Sequence, residues 1–446
     1  MILSARCSPQ SIIPTRDILD WVASLNESVF VDIKKTTLAE TKWFYDSSVG
    51  QIVNEHRTFF QVGGLKNDDI EQPVIIQDEI GFLGMLCKPI DGIPHFLVQA
   101  KIEPGNVNKI QLSPTIQATK SNFTQAHGGA KPTYLDWFIS IGTDSIVVDQ
   151  IQSEQSSRFL GKRNRNIIIM LGKDTKVEES PVHKWMTLGQ IKSLMRIDNL
   201  VNMDTRSVLS CIPFFKYSIE ANDTPLVRSV TEGDQPDILP KLYSYINNKK
   251  MFDINKTRLV PLYSLKDWDM NSAGGVETFQ NKWGYSFKVV FCDIFIDGRE
   301  VRHWGQPLFE AEGMAIFGLF TRVNDGIQEF LIHAKQEVGC LDHIELGPTV
   351  QLESTEEAID QIDKAFVECY NTKKGVMYDV ILSEEGGRFY HEQNKNVIIE
   401  IGPELIADPP PGYWWCTYRT LNKLVQINNI LNIQLRNLLS LLEIIE

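Results

Sequence analysis

"HFLVQAKIEPG" occupies residues 95–105, and "EFLIHAKQEVG" occupies residues 329–339. Both stretches alternate apolar and polar residues, which is the pattern of a half-buried β-strand, and both end in a glycine. Equivalent positions such as Lys101 and Lys335 stand 234 residues apart. The repeat indicates an internal duplication, and the flanking sequence shows how far it extends.

The repetition continues towards both termini. "IQLSPTIQ" at 110–117 matches "IELGPTVQ" at 344–351, and "SEQSSRFLGKRNRNIII" from Ser153 matches "SEEGGRFYHEQNKNVII" from Ser383 at a spacing of 230. Solenoid and propeller repeats are only about 20–50 residues long, so this period is that of whole domains. We therefore predict two homologous domains, residues 1–215 and 216–446, each with its own core.

Each half combines strand and helix patterns. "NIIIML" and "NVIIEI" have the composition of buried strands, whereas residues 188–209 and 418–442 carry apolar side chains at helical spacing. The sequence thus predicts an α+β fold, with a mixed sheet and flanking helices in each half. The apolar C-terminal segment either packs in its own core or forms a dimer seam, and we expect a homodimer.

Composition excludes several classes of protein. The 446-residue chain has a net charge of −13 and 43% hydrophobic residues, which favours a soluble globular protein over a nucleic-acid binder. Seven cysteines without C-x-x-C spacing argue against a disulfide framework or a zinc site. No apolar run approaches the roughly 18 residues that span a bilayer, and residues 1–22 lack a basic segment followed by an apolar run, so we expect a cytoplasmic protein without a membrane partner.

Polar residues that recur in both halves are candidates for function. Lys101 and Glu103 stand two apart, as do Lys335 and Glu337, so both side chains of a pair leave the same strand face. Such a pair can bind an anion and act as a general base, or it can be a simple ion pair.

The repeated arginines and tryptophans leave similar alternatives open. Arg158 and Arg388 can bind a diphosphate through the planar guanidinium, or stabilise their loops by pairing with glutamate. Trp185 and Trp415 can cover a base or sugar, or pack in the core.

One irregular segment, Leu112 to Phe138, is rich in hydrogen-bond donors and aromatic residues. Loops of this type commonly hold ligands. Its counterpart after Gln351 turns acidic. The segment supplies these candidate ligand-binding residues: Gln117, Thr119, Lys120, Ser121, Asn122, Phe123, His127, Lys131 and Tyr134.

The motifs "SPTIQATKSNFTQAHGGAKPTYLDWF", "EHRTFFQVGGL", "HFLVQAKIEPGN", "SEQSSRF", "GREVRHWGQPL" and "LGPTVQ" resemble those of the NDP-hexose 2,3-dehydratases, in the same order over nearly the whole chain. The resemblance implies two Nudix-like halves, a dimer, and dehydration of dTDP-4-keto-6-deoxy-glucose to a 3,4-diketo-2,6-dideoxy sugar, which a 3-ketoreductase then receives. The magnesium-binding Nudix box is missing, which argues against pyrophosphate hydrolysis, and dehydration beside an existing ketone requires no cofactor.

Glu103 or Glu337 is the expected base, and His127, Tyr134 or Lys101 the expected acid or enolate donor; Arg158, Lys120, Lys131 and Gln117 are expected to contact the nucleotide. We expect the pockets of the two halves to be functionally unequal, with the loop of the first half completing the working site. Arg388 of the second half is then expected to be dispensable for most of the dehydration. The alternative is that a loop from one half reaches the other pocket. A non-catalytic nucleotide-sugar-binding protein and a nucleotide-sugar hydrolase are the competing functions.

Overall fold

The computed structural model describes residues 1–6, 11–119, 132–139, 142, 145–219, 223–253, 256–297 and 301–444. The strands of the first half are β1 Val31–Lys35, β2 Trp43–Asp46, β3 Gln51–Asn54, β4 Gln61–Lys66, β5 Glu71–Ile76, β6 Gly81–Ile90, β7 Ile93–Ile102, β8 Ile110–Ser113, β9 Ile116–Ala118, β10 Ile146–Ser153, β11 Phe159–Leu160, β12 Arg163–Met170 and β13 His183–Thr187.

The strands of the second half are β14 Arg258–Val260, β15 Trp268–Ala273, β16 Val276–Asn281, β17 Phe287–Ile296, β18 His303–Ala311, β19 Ile316–Asn324, β20 Ile327–Lys335, β21 Glu345–Gly347, β22 Val350–Leu352, β23 Val376–Ser383, β24 Gln393–Glu400 and β25 Tyr413–Thr417. The helices are α1 Ile2–Arg6, α2 Thr15–Ser28, α3 Leu135–Ile139, α4 Leu188–Leu194, α5 Met203–Ser210, α6 Pro225–Thr231, α7 Ile238–Phe252, α8 Gln361–Asn371, α9 Tyr418–Leu424 and α10 Ile433–Leu441. Single 3₁₀ turns form at Phe214–Lys216 and Leu262–Ser264.

Two large sheets have the same strand order. One runs β10-β12-β6-β7-β13, and the other runs β23-β24-β19-β20-β25. In each, the central pair, β12 with β6 or β24 with β19, is parallel, and its neighbours are antiparallel. The repeated strands that open the sequence analysis are β7 and β20, so the predicted mixed α+β architecture is confirmed.

Two smaller sheets exchange strands between the halves. In one, β14 of the second half pairs antiparallel with β4, placing Arg258 opposite Lys66. In the other, β1 of the first half pairs antiparallel with β17, placing Val31 opposite Ile296. Each half therefore completes a sheet of the other half.

The largest hydrophobic core also combines both halves. Buried side chains of α5 and α10, such as Leu209 and Leu438, join those of both large sheets in one cluster. Each fully buried side chain of this kind contributes about 1.5–3 kcal/mol. The apolar face of the C-terminal helix is thus covered within the chain, which removes the reason for placing a dimer seam there. No helix among the described residues is long and apolar enough to cross a membrane.

The spacing of apolar residues predicts a single helix in each closing segment. In the structure each segment instead forms a pair of short helices. Asn199 and Asn429 interrupt them with positive φ angles of 58° and 56°. Asn202 and Asn432 then cap α5 and α10, since their side chains accept hydrogen bonds from the backbone N–H groups three residues later. These asparagines turn α5 and α10 back onto the shared core.

Candidate active site

A cavity of about 1300 Å³ opens at the junction of the two halves. The first half contributes Lys101 and Glu103 from the end of β7 and Gln117 from β9, and the second half contributes Glu385 and Arg388. Pockets that bind small ligands commonly measure about 300–1,000 Å³, so this one is large enough for a sugar nucleotide.

Residues of the second half reach this cavity because the two "SE-x-x-x-RF" loops are exchanged. Gly105 N donates to Gly386 O at 2.6 Å, and His391 N donates to Gly105 O at 2.9 Å. The reciprocal contact is built in the same way, since Gly339 N donates to Ser156 O at 2.9 Å. Each loop therefore packs on the strand end of the other half.

Only glycine fits at the two strand ends. A Cβ atom on Gly105 would lie 1.5 Å from Phe389 O, and one on Gly339 would lie 1.9 Å from Phe159 O. The repeated glycines that close both quoted stretches are thus required by the close approach of the exchanged loops.

Arg388 is held in a fixed orientation on the cavity wall. Its Nε and Nη2 atoms donate to Gln77 Oε1 at 3.2 and 3.0 Å, and its guanidinium lies 4.4 and 4.3 Å from the ring centroids of Phe59 and Phe60. Phe59 adopts a φ angle of 85°, a region that is costly for a non-glycine residue and is often found at functional sites. A guanidinium oriented in this way is well suited to binding phosphate.

Arg158 packs against residues of the second half and does not line the cavity, which corrects the expected grouping of Arg158 with Lys101 and Glu103. Its Nη2 lies 3.1 Å from both carboxylate oxygens of Glu353, and its guanidinium lies 4.0 Å from the ring centroid of Phe287. The residue equivalent to Glu353 beside the cavity is Thr119.

The second half keeps part of the Lys and Glu arrangement. Gln351 Nε2 donates to Glu337 Oε1 at 2.7 Å, and Lys335 Nζ donates to Gln351 O at 2.9 Å. Burial raises the pKa of Glu337. Lys335 and Glu337 are therefore each hydrogen-bonded to Gln351, whereas Lys101 and Glu103 of the first half form a direct ion pair.

Two carboxyl groups from different halves lie close together in the cavity. Lys101 Nζ lies 2.5 Å from Glu103 Oε1, which favours the charged form of Glu103. Glu385 accepts a hydrogen bond from Gly387 N at 2.9 Å, and Gln117 Nε2 lies 3.5 Å from it. Burial and the neighbouring charge of Glu103 raise the pKa of Glu385. The two carboxyl groups therefore differ in their surroundings, since Glu103 is paired with Lys101 whereas the pKa of Glu385 is raised.

A buried lysine, Lys162, and a buried glutamate, Glu154, also line the cavity. Burial raises the pKa of Glu154 to about 7, although the charge of Lys162 opposes the rise. Burial also lowers the pKa of Lys162 to about 8. Lys162 Nζ donates to Glu79 O at 2.5 Å, and Asn164 Nδ2 donates to Glu154 Oε1 at 2.5 Å. Perturbed ionisable groups in a cleft are typical of active sites.

The sequence matches a known family and several characterised relatives. The family model described as NDP-hexose 2,3-dehydratase matches residues 15–212 and 239–442. The dTDP-4-dehydro-6-deoxy-alpha-D-glucopyranose 2,3-dehydratase of Saccharopolyspora spinosa is 37% identical, over 98% of this chain and 93% of the relative. The enzyme of the same name from Streptomyces violaceoruber is 34% identical, over 94% and 95%, and that from Amycolatopsis orientalis is 33% identical, over 98% and 92%.

This chain belongs to the NDP-hexose 2,3-dehydratase family. It is therefore an enzyme that removes water, a hydro-lyase. A dehydratase of this type needs a base and an acid near its substrate, and the cavity contains Glu103 beside Lys101 and Glu385, whose pKa is raised. Among the described residues, no group of three or more His, Cys, Asp or Glu side chains is arranged to hold a metal ion.

The other predicted residues of the dehydratase fall into three places. Gln117 and Thr119 line the cavity. Tyr134 is buried away from the cavity lining, and its hydroxyl donates to Glu178 O at 2.7 Å. Thr119 and Pro132, on either side of the candidate loop, line the cavity. Six predicted residues of the loop lie outside the described part of the chain: Lys120, Ser121, Asn122, Phe123, His127 and Lys131.

Trp415 is buried and Trp185 is half-buried, and both pack against hydrophobic clusters, which favours the structural alternative. Trp185 packs against a buried cluster of the first half. Trp415 is 5% exposed, donates its indole N–H to Ile406 O at 2.8 Å, and lies 4.2 Å from the guanidinium of Arg322.

Sequence reasoning missed three residues of the dehydratase cavity: Glu385, Lys162 and Asp204. All three differ between the repeats, where the equivalent residues are Gln155, Glu392 and Gln434. Polar residues shared by both halves, such as Lys101 and Glu103, follow from the repeat itself. Polar residues that differ between the halves are a second signal, because they distinguish this cavity from the equivalent region of the other half.

Proposed function

We propose that this enzyme eliminates water across C2 and C3 of dTDP-4-keto-6-deoxy-glucose in the cavity at the junction of its halves, giving the 3,4-diketo-2,6-dideoxy sugar. The names of its relatives supply the substrate. The observation that carries the mechanism is the pair of Glu103, neutralised by Lys101, and Glu385, whose pKa is raised by burial and by Glu103.

The elimination begins at the carbon beside the ketone. The carboxylate of Glu103 removes the proton from C3, which the C4 ketone acidifies, and the electron pair of that bond forms an enolate. The enolate re-forms the ketone and expels the C2 hydroxyl group, to which protonated Glu385 gives a proton, so that water leaves. The product enol then takes a solvent proton at C2 and becomes the diketone.

Arg388 binds the diphosphate of the substrate in this proposal. Its fixed guanidinium offers hydrogen bonds at the cavity wall, and Lys120 and Lys131 of the adjacent segment are further predicted phosphate ligands. Arg158 has no such role, because its guanidinium pairs with Glu353.

We further propose that the halves are Nudix-like and arose by tandem duplication, which is supported by their common strand order and by the two segments that the family model matches. A homodimer, a cytoplasmic location and a downstream 3-ketoreductase remain predictions.

The reaction can be followed by NMR in heavy water. Incubation with dTDP-4-keto-6-deoxy-glucose should place deuterium at C2 of a product that lacks the C2 hydroxyl group, and turnover should persist after exhaustive chelation and without added nicotinamide. Release of nucleoside monophosphate would instead indicate a hydrolase, and binding without any reaction would indicate a non-catalytic protein.

The Glu385→Gln variant tests the division of roles between the two carboxyl groups. It should still exchange the C3 proton of the substrate for deuterium, because Glu103 is intact, but it should eliminate water at least about 100-fold more slowly. Glu103→Gln should do neither. Elimination by Glu385→Gln at the rate of the unmodified enzyme would contradict the assignment.

A further inference from the structure

Asp204 is a carboxyl group on the cavity floor that the mechanism above does not use. It lies in the first turn of α5, lines the cavity and is only 1% exposed. Neither carboxyl oxygen has a hydrogen-bond partner among the described residues. Buried polar groups are almost always hydrogen-bonded, so an unpartnered one at the wall of a cavity indicates a place where a ligand binds.

Charged groups surround Asp204. Burial is the main reason that its pKa is raised well above the ordinary value, and the carboxyl groups add to the effect. The charged groups that face Asp204 are Glu154, Glu385, Glu103, Lys101, Arg206 and Arg436.

The second half carries a neutral side chain at the equivalent position of α10. Gln434 is also 1% exposed, and neither its amide nitrogen nor its amide oxygen has a partner among the described residues. An amide and an un-ionised carboxylic acid each present a hydrogen-bond donor atom beside an acceptor atom, whereas a carboxylate offers acceptors alone. The two helices thus present the same kind of group, one of them at the working cavity.

We propose that Asp204 is a further catalytic residue of the dehydration, whose un-ionised carboxyl group donates a hydrogen bond to the C4 keto oxygen and accepts one from the C3 hydroxyl group. This inference rests on the proposed function, because it takes the adjacent ketone and hydroxyl group from that substrate.

The chemistry of the sugar matches this side chain. The keto oxygen can only accept a hydrogen bond, and the neighbouring hydroxyl group can donate one, so a single carboxylic acid satisfies both. Negative charge develops on the keto oxygen when Glu103 removes the C3 proton, and a donor already in place stabilises that charge. The proton stays on Asp204 throughout, so no additional reactant is needed.

Three variants test the role of Asp204. Asp204→Asn keeps a donor and an acceptor and should retain at least about a tenth of kcat, whereas Asp204→Leu removes both and should lower kcat about 100- to 1,000-fold, as loss of an oxyanion donor does. Gln434→Leu is the matched control in the second half and should leave kcat unchanged.

Binding and folding measurements exclude a merely structural effect. Asp204→Leu should bind dTDP alone in calorimetry with the affinity of the unmodified enzyme, because its contacts are to the sugar, and its thermal midpoint should not fall. It should also exchange the C3 proton about 100-fold more slowly, because enolate formation is the step that the hydrogen bond assists.

The outcomes separate the two proposals. If the unmodified enzyme does not dehydrate the 4-keto sugar nucleotide, the proposed function fails. If it does, and Asp204→Leu retains more than a tenth of kcat, only the role of Asp204 is overturned. Equal inactivity of Asp204→Asn and Asp204→Leu would show that a carboxylate, rather than a neutral donor, is required.

Discussion

At the scale of single residues, equivalent side chains of the two repeats have different partners. Arg388 faces the cavity with Gln77 as its acceptor, whereas Arg158 is bound by Glu353. The same motif thus provides a candidate phosphate ligand in one place and an ion pair in the other.

The two arginines should respond differently to removal. Arg388→Ala should raise the KM for the sugar nucleotide about 10- to 100-fold, since a hydrogen bond to a charged group contributes about 1.5–3 kcal/mol. Arg158→Ala should leave KM within about twofold but lower the free energy of unfolding by about 3 kcal/mol, because it leaves Glu353 without its cation. Steady-state kinetics and urea unfolding of both variants would show this. An Arg388→Ala enzyme with unchanged KM, beside an inactive but folded Arg158→Ala enzyme, would reverse the assignment.

Buried carboxyl groups should make the stability fall as the pH rises. Burial raises the pKa of Glu154 and Glu345 to about 7 and that of Glu392 to about 8, from 4.5. At pH values between 4.5 and these raised pKa values, the folded chain therefore keeps protons that the unfolded chain has already released. Because unfolding releases protons in this window, the free energy of unfolding decreases with pH there.

Urea unfolding at about pH 5 and about pH 8 would measure this dependence. The urea midpoint should be lower at the higher pH. Glu392→Gln removes one carboxyl group that has a raised pKa and lies outside the cavity, so it should reduce the difference between the two midpoints. A midpoint that rises with pH over this range would contradict the prediction.

At the scale of elements, the exchanged loops determine which residues meet. Their hydrogen bonds to the ends of β7 and β20 depend on a backbone approach that a side chain would block. The turn residues Asn199 and Asn429 play a comparable part, since they direct α5 and α10 into the shared core.

Gly105→Ala tests the loop exchange. The added methyl group would overlap Phe389 O, so the loop that carries Glu385 and Arg388 must shift. We expect about 1–3 kcal/mol lower stability, as overpacking commonly causes, and a loss of kcat of at least about 100-fold. Gly142→Ala is the control, because a Cβ atom there meets no described residue within 4 Å. Normal activity of the Gly105→Ala enzyme would show that the loop position is not critical.

At the scale of the whole molecule, the halves depend on each other. They exchange β1 and β14, and their helices share the largest core, although each half also has a smaller cluster of its own. The two sequence repeats are thus joined by common packing.

Separate halves should not fold into their native structure. A fragment of residues 1–215 would lack β14 and α10 and would expose the face of α5 that Leu438 and its neighbours cover. Near-ultraviolet circular dichroism should show no fixed aromatic packing in either fragment, and mixing the two fragments should restore dehydratase activity. Cooperative unfolding of the isolated 1–215 fragment would contradict this.

The sequence by itself determined the repeat, the strands β7 and β20, the α+β class and the family, because periodicity and repeated motifs are local properties of the chain. It also identified Lys101, Glu103 and Gln117, which lie on one short piece of structure. The tertiary structure alone decided that Arg388 and Glu385 face Glu103 while Arg158 pairs with Glu353, since these partners are nearly 200 residues or more apart in sequence. The same distance explains why Asp204 and Lys162 were missed: their pKa values depend on burial and on charges contributed by the other half, and the order of residues in a chain does not record which backbone segments exchange.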